Sequence, residues 1–114
     1  MMEEAARALV SIALEIDDIE PHDSYPLAAF GEDSGARLVN WLSEILYYLD
    51  GERVALCRFR VNVLEDNGVA GMGWGEPRDP GRHRAKLIVK GVTYHQLKIG
   101  QDDSGWYCEV YLDV

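Results

Sequence analysis

The sequence predicts an α+β domain, two amphipathic helices packed on a mostly antiparallel β-sheet. Near the N-terminus, two segments repeat apolar residues at the three- and four-residue spacing of a helix stripe. The remainder alternates apolar and polar residues between turn signals, the pattern of hairpin-connected strands. No strand–helix–strand alternation calls for a parallel sheet. The 114 residues suit one domain, 1–114, and a 47% hydrophobic content supports a packed core.

The first helix is expected from Met2 to about Ile16, with Ala5, Ala6, Leu9, Ile12, Ala13 and Ile16 on its stripe. No capping residue precedes it, so its first N–H groups lack a side-chain acceptor. An acidic connection, Asp17 to Asp23, leads to a short strand, Ser24 to Phe30, whose Pro26 predicts an edge position. Asp33 or Ser34 then caps a second helix that runs to about Leu49. Its stripe is Leu38, Val39, Leu42, Ile45, Leu46 and Leu49, with Trp41 and Tyr48 on the flanks. Gly51 ends it, in the left-handed conformation that glycine tolerates.

Strands follow. Arg53 to Leu64 alternates, with Ala55, Cys57, Phe59, Val61 and Val63 on one face. Asp66-Asn67-Gly68 predicts a hairpin turn into Val69 to Trp74. Gly75 to Arg84 reads as a loop. Ala85 to Ile99 reads as one long strand, and Trp106 to Val114 as the last, after a turn at Asp102-Asp103-Ser104-Gly105.

Charge and composition narrow the function. A net charge of −9 disfavours broad contact with nucleic acid phosphates and suits a basic protein surface or a cation. No apolar run approaches the ~20 residues that span a bilayer, and no signal-peptide pattern is present, so a cytoplasmic protein is expected. Cys57 and Cys108 form no C-x-x-C pair and are expected to be buried free thiols. The sequence has no G-x-S-x-G and no H-E-x-x-H motif.

Candidate chemistry lies in three stretches. In KGVTYHQLKI, strict alternation places Thr93, His95, Leu97 and Ile99 on the mainly apolar side, where His95 reads as a hydrogen-bonded core residue. Lys90, Tyr94 and Lys98 fall on the other side, and Lys90, mid-strand, is a candidate partner contact. In GMGWGEPRDPGRH, the glycines resemble a phosphate loop, but no helix opens directly after them. They are better read as relief of crowding within a strand. Arg78, Arg82, His83 and Arg84 make a basic cluster in an acidic chain, either a contact for a phosphate or acidic partner or a solvated loop. At the C-terminus, the Asp113 side chain stands one residue from the terminal carboxylate of Val114. Two such oxygen groups suit a hard cation, or fray in water. A different class of reading is a small hydrolytic enzyme using His95 and Glu109 as acid and base.

WLSEILYYLD, GEPRDPGRH, KGVTYHQLKI and WYCEVYLDV, in that order and over essentially the whole chain, resemble the archease family. That family shows a W/F-L-x-E-L-L-Y-L helix, a K-A-V-T-Y-H strand and a terminal D-V or D-I. Gly91 stands where the family commonly has alanine. The resemblance implies a non-catalytic protein that assists a GTP-dependent tRNA-splicing ligase of the RtcB type. Such a ligase joins an RNA 3′-phosphate or 2′,3′-cyclic phosphate to a 5′-hydroxyl. The assistance promotes guanylylation and repeated turnover, with RNA met only indirectly.

The resemblance further implies a divalent cation, typically Ca²⁺, held by Asp113, the Val114 carboxylate and an aspartate near the N-terminus. Partner contact is expected at Lys90, Arg78, Arg82 and His83. The third aspartate belongs to a D-H-T-A-D strand before the first helix, and these residues contain no such motif. The resemblance thus implies an N-terminally shortened form, through a misassigned start, a truncation or a natural loss. Weakened metal affinity and self-association through an exposed sheet edge are its expected consequences. An archease-like interaction or chaperone module without metal is the alternative.

Overall fold

The computed structural model describes residues 1–65 and 67–114. Helix α1 (Met2–Ala13) leads through a 3₁₀ turn (Ile16–Asp18) to strand β1 (Asp23–Phe30) and helix α2 (Ser34–Asp50). Strands β2 (Val54–Leu64), β3 (Gly68–Pro77), β4 (Gly91–Asp102) and β5 (Gly105–Asp113) complete the chain. All pairings are antiparallel, in two sheets of order β1-β3-β2 and β4-β5. The two helices pack on these antiparallel sheets, as an α+β chain requires; the single sheet expected from the sequence is divided into two.

Helix α2 follows its sequence signals closely. Asp33 accepts the Ala36 N–H at 2.8 Å, closing one of the orphan donors of the first turn. The stripe from Leu38 to Leu49 is buried, each such side chain contributing about 1.5–3 kcal/mol. Trp41, expected on the flank, is instead fully buried and donates from Nε1 to the Met2 carbonyl at 3.0 Å, tying α2 to α1. An indole fills an inter-helix gap well once its N–H finds an acceptor. The helix does not end through a left-handed glycine: Gly51 has φ −82°, and Arg53 carries the positive φ of 58°.

Helix α1 stops at Ala13, short of Ile16, which belongs to the 3₁₀ turn. Met2 and Val10 join its buried face, whereas Ile12 is exposed. Among the described residues no side chain caps its N-terminus; the terminal amino group instead pairs with Glu4 at 2.8 Å.

Strand β3 is central, so its glycines face a neighbour on each side. A Cβ on Gly75 would lie 1.8 Å from the Ala55 carbonyl oxygen, and one on Gly71 would lie 2.0 Å from that of Arg60. The crowding expected at these glycines is therefore real. Pro26 sits on β1, an edge strand. The hairpin turn read at Asp66-Asn67-Gly68 falls partly outside the described residues, at Asp66; its partner strand begins at Gly68.

Register shifts correct two face assignments. In β2 the ladder slips between Leu56 and Arg58 and again between Val61 and Val63, so Leu56 is buried and Val63 exposed. In β4 the ladder steps from Thr93–Tyr111 to Lys98–Glu109, and Gln96 adopts φ 51°. This wide bulge inverts the alternation. Val92, before it, and Leu97 and Ile99, after it, all pack on the core, while His95 is exposed. The expected core histidine is thus a surface residue.

The long strand expected from Ala85 to Ile99 begins only at Gly91. Residues 85–90 contribute one isolated bridge, Leu14 to Ala85, and bury Val89 while Leu87 and Ile88 stay exposed. Cys57 is buried and Cys108 half-buried, both free, and burial raises both thiol pKa values.

Candidate functional site

The end of β5 carries the expected cation ligands. Lys90, just ahead of β4, donates its backbone N–H to the Asp113 carbonyl at 2.6 Å, extending the β4–β5 ladder. This fixes the backbone of Asp113 while its side chain and Val114 remain exposed. Lys90 stands at the entry to β4, not mid-strand, and its exposed ammonium needs no buried partner. With Gly91 it borders a concavity of about 390 Å³ against Tyr47, Asp50 and Gly51 at the end of α2.

The donor chemistry of Asp113 and Val114 fits a hard divalent cation, which prefers carboxylate oxygen. The donor number does not complete one. Among the described residues no three His, Cys, Asp or Glu side chains gather at a common point. Two carboxylates leave most of a six- to eight-oxygen Ca²⁺ shell to other donors, on the order of half or more.

The basic cluster is dispersed. His83, expected to face a partner, is 1% exposed. The Asp79 N–H donates to its Nδ1 at 2.8 Å, which places the ring proton on Nε2, 2.8 Å from Glu76 Oε2. Arg82 grips the same carboxylate with two bonds of 3.0 Å, and the Glu20 N–H donates to it at 2.9 Å. The Glu20 N–H, ahead of Arg82 and His83, holds the Glu76 carboxyl down at about 2 against the opposing pull of burial. Arg82 and His83 are therefore spent on anchoring the loop after β3. A chain folded this tightly cannot present His83 to a partner without opening that network.

Arg78 is largely buried, 3.8 Å from Asp50, and burial lowers its pKa. Arg84 is exposed beside a polar groove of about 810 Å³ whose walls include Asp17, Asp18 and Lys86.

His95 and Glu109 do not form a catalytic pair in a cleft. The His95 ring meets Tyr111 edge-on at 5.8 Å, and Glu109 lies 3.9 Å from Lys98, all on the exposed face of the β4–β5 ribbon. Sequence reasoning passed over Glu76. The available signal was a carboxylate closing an otherwise apolar strand, with an arginine and a histidine six and seven residues on.

The Archease protein family (MTH1598/TM1083) matches residues 1–114. The chain is 34% identical over 117 residues to the protein archease of Methanopyrus kandleri, covering 100% of this chain and 84% of that protein. It is 31% identical to the protein archease of Pyrococcus furiosus, covering 98% and 82% respectively. The solution structure of Methanobacterium thermoautotrophicum protein 1598 superposes with a TM-score of 0.74 at 25% identity, covering 99% of this chain and 82% of that one. The chain belongs to the archease family.

Proposed function

We propose that this protein assists a GTP-dependent RNA ligase of the RtcB type, promoting guanylylation of the ligase and its repeated turnover in tRNA splicing or RNA repair. The match to the archease family over residues 1–114 carries this reading. The protein acts without catalysing the joining reaction itself. The surface position of His95 and Glu109, each engaged with a neighbouring side chain, supports that assignment.

Asp113 and the Val114 carboxylate form the working end. The Lys90 N–H bonds the Asp113 carbonyl, so the last residue of β5 belongs to the β4–β5 ladder and its exposed side chain stands beside the Val114 terminus. A divalent cation bound there supplies positive charge beside the partner. The residues of this chain orient it from one side and leave its remaining positions to water or partner oxygens. Lys90, next to Asp113, is the partner contact best placed to accompany them. Arg78 and Arg82 have the weaker claim, since Asp50 and Glu76 already engage them.

The test is transfer of the guanylyl group from GTP to the cognate ligase, followed with labelled nucleotide. Faster labelling in the presence of this protein supports the reading, and unchanged labelling overturns it. A metal-free interaction module is the second reading, favoured by the incomplete donor set among the described residues. Calorimetric titration with Ca²⁺ separates the two: heat of binding that Asp113→Ala removes supports the cation site, and its absence supports the module.

A further inference from the structure

The turn after β3, from Asp79 to His83, closes on one imidazole. The Asp79 N–H donates to His83 Nδ1 at 2.8 Å, and the Asp79 carbonyl accepts the His83 N–H at 2.6 Å and the Arg82 N–H at 3.0 Å. The Asp79 carboxylate also stays within the turn, accepting the Gly81 N–H at 2.9 Å. The imidazole itself is fully buried and reaches outward from the turn, with Nε2 2.8 Å from Glu76 Oε2. Arg82 adds a second tie, to the same carboxylate at 3.0 Å and to the Asp18 carbonyl at 3.3 Å. The turn, the end of β3 and the stretch ahead of β1 thus meet at Glu76.

The Nδ1 contact is the one that an added proton breaks. A neutral imidazole has one donor and one acceptor nitrogen, whereas an imidazolium has two donors. With Nε2 already donating to Glu76, a second proton goes to Nδ1, where it faces the Asp79 N–H. Two donors 2.8 Å apart repel, and a buried donor left without an acceptor forfeits a hydrogen bond. The Asp79 carboxylate can serve as that acceptor once it gives up the Gly81 N–H, which reshapes the turn. At the other nitrogen the effect is opposite, because the added charge strengthens the bond to Glu76. Arg82 then shares its carboxylate with a second cation, and its half-exposed side chain has water to move into. The charged and titratable groups around the ring are Glu76 of β3, Asp79 and Arg82 of the turn, and Asp18 and Glu20 ahead of β1. Cys57 of β2 lies close enough to sense Glu76 and Glu20.

We infer that His83 is a proton-operated latch. With a neutral ring the turn is closed; protonation at Nδ1 releases the Asp79 backbone while the imidazolium stays on Glu76. The freed turn swings away from the stretch ahead of β1 and takes Arg82 with it. The polar groove of about 810 Å³ between Asp17 and Asp18 on one wall and Gly81 and Arg82 on the other then widens. Arg82 joins the exposed Arg84 at its rim, so a basic pair masked in the closed turn becomes accessible to an anionic group. This step is separate from protonation of Glu76, whose carboxyl has a pKa of about 2. The inference stands on the geometry of the turn and does not depend on the ligase reading.

The test follows the whole, isotopically labelled protein by NMR as the pH is lowered. His83 Nδ1 should start as an unprotonated acceptor and then gain a proton. Over the same interval, protection of the Asp79 amide, referenced to the unfolded chain at each pH, should fall by about tenfold or more. The amides of Leu42 and Ile45 in α2 should keep theirs, and the Arg82 guanidinium protons should exchange faster. His83→Gln retains a donor for Glu76 but nothing in place of Nδ1, so its Asp79 amide should be unprotected at every pH. His83→Asn retains an acceptor near the Nδ1 position, so its Asp79 amide should stay protected with no response to pH. Should neither variant fold, the wild-type titration decides alone. Asp79 protection that survives protonation of His83 would overturn the proposal, as would a ring doubly protonated in the closed turn. Loss of Asp79 protection only together with that of Leu42 and Ile45 would overturn it too, by making the event global unfolding.

Discussion

Glu3 of α1 accepts the backbone N–H of Val61 in β2 at 2.9 Å, and Arg7, one turn later, donates to the carbonyl of Cys57. The two side chains take the place of a neighbouring strand along the outer edge of β2. An unpaired edge is a template for association, and charged groups turned onto it block that template. Replacing Glu3 by alanine should cost about 1 kcal/mol and raise the tendency to self-associate. Chemical denaturation reads the first effect and sedimentation the second. An unchanged midpoint would mean that water replaces the carboxylate without loss.

The carboxyl of Glu76 has a pKa of about 2, below its ordinary value of 4.5, held there by the Glu20 N–H and by Arg82 and His83. A folded-state pKa below the unfolded one stabilises the protein above the unfolded value. That contribution fades as pH falls through the folded value. Thermal stability should therefore drop between about pH 4.5 and pH 2. Glu76→Gln should lower stability at neutral pH by roughly 2 kcal/mol and flatten the acid limb. A wild-type acid limb as flat as that of the variant would remove Glu76 as its source.

Glycines at two positions should respond oppositely to alanine. At Gly75 the new Cβ meets the Ala55 carbonyl at 1.8 Å, so β2 and β3 must separate. A loss of about 2 kcal/mol or more is expected. At Gly91 no atom of the described residues lies within 4 Å of the new Cβ, and alanine should be neutral or stabilising by about 0.4–1 kcal/mol. Denaturant midpoints of the two variants check both signs at once.

Elements whose signals are local were legible in the sequence. The α2 stripe and its Asp33 cap lie within a few residues of one another, as does the Asp102–Gly105 turn, where Ser104 donates to Asp102 at 2.8 Å. Pro26 placed β1 at an edge for a reason carried by one residue. The family resemblance was legible from motif order alone, and residues 1–114 match that family.

What escaped depended on distant partners. Across the β4 bulge Leu97 turns onto the core, close to Gly35 of α2, a placement that no alternation rule anticipates. His95 consequently changed sides. Trp41 became core because Met2, thirty-nine residues away, supplied an acceptor. The basic cluster is not available as a unit because Glu76 engages Arg82 and His83 and Asp50 lies beside Arg78. The outer edge of β2 is closed by Glu3 and Arg7, which in the sequence are merely the polar side of a helix.

At the C-terminus, Asp113 is held by its backbone to Lys90 and its carboxylate is left exposed. The decisive measurement is multiple-turnover RNA joining by the cognate ligase with wild-type protein, with Asp113→Ala, and with neither. Wild type should raise the number of turnovers per ligase. The variant, folded and equally stable, should lose at least about tenfold of that stimulation. Equal stimulation by both would contradict the role given to Asp113, and no stimulation by either would contradict the ligase-assisting function itself.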